Sequence, residues 1–195
     1  LQGDPNVKKI TAHIVKKVAD KLSEIFKNDR AKYKEKWESL SVFVKYGVIS
    51  DEKFAERAKE FALVENTDKK YFTVEEYKEK IKANQTDKND SLVALYTNHA
   101  DAQYSYIAQA HDKGYDVLVM DSTIDNHYMQ HLEYKGEKMV FKRVDADTMD
   151  KLIEKDTSSE SVLNKEEEDQ LKKYFQEVVT TPTATVELKA LSPTD

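Results

Sequence analysis

The sequence contains no cysteine. That excludes a disulfide framework, a thiol nucleophile and a Cys-ligated zinc. Only four glycines and three prolines punctuate 195 residues, which favours long helices over a turn-rich β-sandwich. No apolar run approaches the ~20 residues needed to cross a bilayer. No basic-then-apolar signal segment opens the chain. These absences lead to the expectation of a cytoplasmic protein with no membrane partner. The first residue is Leu rather than Met, which suggests a stretch cut from a longer chain.

Charge is plentiful but unevenly placed. Asp, Glu, Lys and Arg make up 35% of the residues, and the net charge is −6. Residues 145–195 hold 13 acidic and 6 basic side chains, whereas residues 1–144 are nearly balanced, with 24 and 25. No basic face of the kind a nucleic-acid binder shows is evident, so nucleic acid is not expected as a partner.

Apolar spacing organises the chain into three regions. Asp4-Pro5 is a helix-start signal. Val7, Ile10, Ile14, Val18, Leu22 and Ile25 then recur every three or four residues, as on one face of a helix. Asn28 and Asp29 break it. Tyr33, Trp37, Leu40 and Val44 form a second stripe, which Gly47 is expected to stop. Ser50 and Asp51 start a third helix with Phe54, Ala58 and Phe61 inward. A helical bundle over 1–69 follows.

From about 70 to 144 the pattern changes. Thr73 with Glu76 reads as a capping box. Strands are predicted at 91–97, 117–120 and 139–144, with helices at 101–113 and 124–133 between them. Gly114 suits the position just past a helix end. Strand-helix alternation of this kind implies a small three-layer α/β unit with a short, mostly parallel sheet. The acidic, Ser-rich stretch 145–163 reads as a linker. Asn164 and Glu167 then cap a helix with Leu171, Tyr174, Phe175 and Val178 on one face, and 185–191 reads as a strand. Residues 145–195 are thus an acidic linker and a partial α+β segment, too small to bury a core alone.

Four candidate sites present themselves. A phosphate site would lie beyond the strand ends, in a glycine-rich turn. The turns here, Asn98-His99-Ala100-Asp101 and Asp121-Ser122-Thr123, have no glycine and carry carboxylates, so helix capping explains them better. His127 and His131 share a helical face, but the catalytic zinc pattern needs a third ligand and a general base. Glu133 lies about 200° around the helix from His131 at ~100° per residue, so no metal is expected. No nucleophile elbow of the G-x-S-x-G type occurs. The helix 124–133 carries Ile124, Tyr128, Met129 and Leu132 beside the weakly charged Asn126, His127, Gln130 and His131. Such a mixture suits adaptable contact with varied partners. Packing against the sheet accounts for part of it equally well.

Several stretches together resemble a known family. Leu1-Gln2, Val7-Lys8-Lys9-Ile10 and Ile14-Val15-Lys16-Lys17 are similar to the middle domain of the heat-shock-protein-90 chaperones, where Leu-Gln precedes a helix with an I-V-K-K run. Val44-Lys45-Tyr46-Gly47-Val48 resembles that family's I-K-x-G-V. Phe72-Thr73 through Glu76-Tyr77 resembles its S-L-x-x-Y helix start. Tyr115-Asp116-Val117-Leu118-Val119-Met120 through Ile124-Asp125 resembles its E-V-L and I-D segment, and Tyr134-Lys135-Gly136-Glu137-Lys138 its E-F-x-G-K turn. The matches keep their order and spacing across 1–144.

The resemblance implies a dimeric, ATP- and Mg-dependent chaperone of bacterial type that assists folding of unfolded or partly folded client proteins. An N-terminal ATPase domain, this middle domain and a C-terminal dimerisation domain would cooperate. The family's catalytic loop reads S-R-E-x-L-Q, so Gln2 is the only position here that would reach the hydrolytic site, and the catalytic Arg would precede residue 1. An arginine at a transferring phosphate is worth ~10³–10⁵ in rate in other systems, so no ATP hydrolysis and no cofactor are expected of these residues alone. A client-contact patch is carried onto Asn126, His127, Tyr128 and Gln130. The family's usual Glu, Trp and Asn are replaced there by Asn126, His127 and Gln130, with Tyr128 the adjacent aromatic. An Arg usual near 58–67 is also not retained. An α/β nucleotide-binding enzyme with a degenerate site is the alternative.

Overall fold

A computed structural model describes residues 5–135, 138–155, 163–179 and 188. The chain divides into two compact units, Leu1–Glu154 and Lys155–Asp195. Gln2 and Asp4 lie outside the described residues.

The first unit opens with α1 (Pro5–Asn28), α2 (Arg30–Glu35), α3 (Trp37–Ser50) and α4 (Glu52–Ala58). Only Leu22 and Ile25 of the six residues in the predicted apolar stripe of α1 are used in packing. Val15, Leu22, Ile25 and Phe26 pack on the core beside buried Ala19, while Val7, Ile10, Ile14 and Val18 stay 40–60% exposed. Asp29 caps α2 by accepting from the Lys32 N–H at 3.0 Å. The stripe Tyr33–Val44, expected on one helix, spans two, because the backbone breaks at Lys36 between them. The stripe still faces one way, with Tyr33, Trp37 and Val44 buried.

Gly47 does not end α3. The helix runs on to Ser50, and Gly47 serves instead as a point of close approach. A Cβ there would lie 2.7 Å from Phe54 Cε1. Asp51 then caps α4, accepting from the Phe54 N–H at 2.7 Å.

A hairpin of β1 (Leu63–Glu65) and β2 (Tyr71–Thr73) follows. Sequence pattern gives no sign of it, since three-residue strands are too short to display alternation. Thr73 and Glu76 form the anticipated capping box at the start of α5 (Val74–Ile81).

Next come β3 (Leu92–Thr97), α6 (Tyr104–Asp112), β4 (Val117–Val119), α7 (Asp125–Lys135) and β5 (Met139–Arg143). The sheet order is β4-β3-β5 with both pairings parallel, as the alternation implies. Gly114 takes φ +74 just past α6, a conformation that costs a Cβ-bearing residue energy. Successive residues of a strand point to opposite faces. On β3, Ala94 therefore joins the core beneath the bundle and α7, while Val93 and Leu95 join a second core with Ile107 and Ala110 of α6. Sheet, bundle side and α6 side make three layers, and the fold is α/β.

Asp116, just before β4, ties the hairpin and α5 to the sheet. It accepts from Asn66 Nδ2 at 2.9 Å and pairs with Lys80 Nζ at 2.6 Å. Its N–H donates to Gln85 Oε1 at 2.6 Å.

The stretch predicted as a linker from 145 departs from expectation in its first part. Met149–Leu152 forms α8, and Met149, Leu152 and Ile153 close the second core. The acidic residues hid three apolar anchors, Met149 and, one turn further on, the adjacent Leu152 and Ile153. In the second unit, α9 (Lys165–Val178) has the predicted Asn164–Glu167 capping box, and Tyr174, Phe175 and Val178 are exposed on it. The strand expected at 185–191 lies outside the described residues, Leu188 apart.

Candidate functional site

The helix α7 is positioned by a single carboxylate at its start. Asp125, 1% exposed, accepts from the Ser122 N–H at 3.0 Å through Oδ2. Its Oδ1 accepts from Lys45 Nζ of α3 at 2.5 Å. Lys45 also stands 5.7 Å from the centroid of the Tyr128 ring, so the cation meets a carboxylate and an aromatic face in one buried place. At the other end, Lys135 pairs with Glu52 at 2.8 Å. Glu52 holds the Lys135 ammonium above its ordinary pKa, and Lys135 holds the Glu52 carboxyl below its own. Glu133 accepts from the backbone N–H of Phe141 at 2.7 Å, occupying a donor of the edge strand β5.

With both ends held, the helix shows two distinct faces. Asp125, Tyr128 and Met129 are buried and Leu132 is half-buried; Asn126, His127 and Gln130 are exposed. Thus three of the four residues expected in the contact patch share one outward face. Tyr128 does not join them. It is 1% exposed, and burial, then the nearby Asp125 carboxylate, pushes its phenol well above the ordinary value. It packs inward beside Lys45 of α3, because its position one residue past His127 rotates it about 100° away from the outer face. The outer face of α7 carries no carboxylate or ammonium group over its first half, only amide and imidazole side chains.

Sequence reasoning gave no contact role to four strongly exposed aromatics in the same unit: Phe43 (76%) and Tyr46 (65%) on α3, Tyr104 (74%) on α6 and Tyr134 (86%) on α7. The signal was present. Phe43 and Tyr46 fall outside the stripe of Tyr33, Trp37, Leu40 and Val44, so helical periodicity already placed them outward.

The turns beyond β3 and β4 do not fit a phosphate: Asp101 and Asp121 stand there exposed, and like charge would repel the ligand. His127 is exposed and His131 half-buried. Among the described residues no group of three or more His, Asp or Glu is placed to hold a metal ion, and no helix is long and apolar enough to cross a membrane.

The described residues thus form a helical bundle leading into a parallel three-layer α/β unit. Comparison with known proteins gives the family. The family model described as "Hsp90 protein" matches residues 1–192, and the chain belongs to the Hsp90 family. It is 48% identical over 175 residues to "Chaperone protein htpG" of Bacteroides fragilis (strain YCH46), covering 90% of this chain and 26% of that one. It is also 48% identical over 176 residues to "Chaperone protein HtpG" of Porphyromonas gingivalis (strain ATCC 33277), with the same coverage. The chain therefore spans about a quarter of the length of these relatives. Among solved structures, the middle domain of a Plasmodium falciparum heat shock protein superposes with a TM-score of 0.56 at 16% identity, covering 72% of this chain and 58% of that one. That likeness supports the fold.

Proposed function

We propose that this chain is the part of an ATP-dependent chaperone that couples closure of the molecule to contact with unfolded or partly folded client proteins. In this reading, residues 1–69 and 70–144 act together as a lever, and residues 145–195 lead into a dimerisation domain. ATP and magnesium would be bound elsewhere in the full-length homodimer. Gln2 would be the only residue of this chain at the hydrolytic site. The whole protein would work in the cytoplasm.

The observation that carries the reading is the outward face of α7. Asn126, His127 and Gln130 stand in solvent on a helix held at its start by buried Asp125 and near its end by the Glu133 bond to the Phe141 N–H, within a chain of the Hsp90 family. A pinned helix spends little conformational entropy on binding. Its polar face, free of carboxylate and ammonium groups, can accept varied sequences without strong charge selection.

The test uses a reduced, carboxymethylated protein that cannot refold, titrated into this chain and into the N126A/H127A/Q130A variant. The variant is expected to bind several-fold more weakly with an unchanged melting temperature. Equal affinity in the two proteins would refute the role of α7. The alternative of a nucleotide-binding enzyme is not favoured. Under the chaperone reading, ATP leaves the melting temperature of this chain unmoved, whereas a binder would be stabilised by mass action.

A further inference from the structure

A second feature of α7 lies on the side facing α3, α4 and α5. There a cavity of about 100 Å³ opens, walled by Val48, Ala55, Val74, Leu132 and Met139, with Tyr128 also lining it. Its size is of the order of the ~150 Å³ apolar cavity known to take a benzene ring. One aliphatic or aromatic side chain can fill it. The charged part of the lining is unbalanced: the ammonium-bearing Lys59, Lys78 and Lys135 against the single carboxylate of Glu75. Each lysine is tied to a glutamate, at 2.8 Å to Glu56, Glu75 and Glu52 respectively. Glu52 and Glu56 are 81% and 69% exposed, and neither lines the cavity. Ion pairs this exposed contribute little, because water screens them. An incoming carboxylate can therefore replace them at little cost.

We propose that this cavity is a docking site for a polypeptide segment in which one bulky apolar side chain is flanked by Asp or Glu. The apolar group enters between α4 and α7, and the flanking carboxylates take over Lys59 and Lys135. The site rests on the chaperone reading and sharpens it: part of the partner is held by a pocket with a charge preference, in addition to the outer face of α7. Lys78, whose side chain is 13% exposed, keeps its ion pair with Glu75 in the wall, so the charge preference rests on Lys59 and Lys135.

Met139 gives a direct reporter, being one wall of the cavity, while Met149 sits in the other core. The experiment labels methionine methyls with carbon-13 in the full chain and titrates two peptides by NMR. Both carry a central Leu-Phe; one has flanking Asp and Glu, the other flanking Lys. The acidic peptide should move the Met139 methyl resonance and leave Met149 in place. The basic peptide should bind about tenfold more weakly. Ala55→Phe, which fills the cavity from its half-buried rim, should weaken acidic-peptide binding about tenfold with an unchanged melting temperature. The K59Q/K135Q variant should lose most of the salt dependence, since screening acts on exposed charge.

Binding of both peptides with equal affinity would overturn the proposal. So would a Met139 resonance that responds to octanoate but to neither peptide, which would mark an amphiphile site. If an unfolded protein binds and shifts the His127 ring while Met139 stays silent, the cavity site falls and the α7 surface stands. If nothing binds anywhere, both fall.

Discussion

Lys45 Nζ and Asp125 Oδ1 meet at 2.5 Å with side chains 9% and 2% exposed, joining α3 to the first turn of α7. A buried pair of this kind adds little net stability, because desolvation offsets attraction, yet losing one partner strands a charge at a cost of about 3–5 kcal/mol. Lys45→Met should therefore destabilise the first unit by roughly that amount, and the K45M/D125L double variant should recover most of it. Urea unfolding followed by tryptophan fluorescence measures both, since Trp37 lies in the same core. A double variant as unstable as the single one would mean that Asp125 works mainly through its bond to the Ser122 N–H.

A second clamp makes stability depend on pH. Arg30 donates twice to Glu76, at 2.6 and 2.5 Å, and also stacks 4.9 Å from the Phe26 ring. The Arg30 hydrogen bonds, with help from the Thr73 cap, pull the Glu76 carboxyl from 4.5 down to about 2. A lowered folded pKa means stability is present above 4.5 and lost as pH falls through the interval toward 2. The pair is about 40% exposed, so screening limits the contribution to about 1 kcal/mol. Glu76→Gln keeps an oxygen for the Thr73 N–H and removes the charge. It should be less stable than the parent at pH 7, with the gap narrowing below pH 4.5 and closing only as pH falls through about 2. A constant gap across that range would remove the ion pair from the explanation.

Gly47 tests close packing against helix propensity. Alanine in mid-helix is favoured over glycine by about 1 kcal/mol. At this place the new Cβ would sit 2.7 and 2.8 Å from the Phe54 ring, and overpacking costs about 1–3 kcal/mol. Phe54 is 6% exposed and stacked edge-on against Phe61, so the ring has little room to yield. G47A should lower the melting temperature, and adding Phe54→Leu should relieve the clash. A more stable G47A would show that the ring moves freely.

How far the sequence disclosed this molecule depended on the range of the signal. Thr73–Glu76 and Asn164–Glu167 were readable because a capping box is wholly local. The parallel sheet followed from alternation of apolar runs and helices. What escaped was tertiary. Gly47 looks like a helix stop until Phe54 is seen against it. Met149, Leu152 and Ile153 look like linker residues until the second core needs closing. Asp125 and Lys45 lie 80 positions apart, and no spacing rule connects them. On α7 periodicity identifies the exposed Asn126, His127 and Gln130. The same periodicity turns Tyr128 inward, against the expectation raised by an aromatic match.

Tyr33 offers the sharpest test of the core. It is fully buried, its ring lying 5.3 Å from Phe26 in an edge contact and 5.9 Å from Trp37. Its hydroxyl has no hydrogen-bond partner among the described residues, and burial pushes the phenol well above its ordinary pKa. An unsatisfied buried hydroxyl costs about 1–3 kcal/mol. Tyr33→Phe removes it while keeping the ring contacts, so the variant should be as stable as the parent or more stable, by up to about 1 kcal/mol. Tyr33→Ala, which also empties the space, should lose about 3–5 kcal/mol. Denaturant midpoints at constant m-value report the difference. A Tyr33→Phe variant that unfolds at distinctly lower urea would reveal that a trapped water satisfies the hydroxyl, and the core would then have to be redrawn with a polar centre.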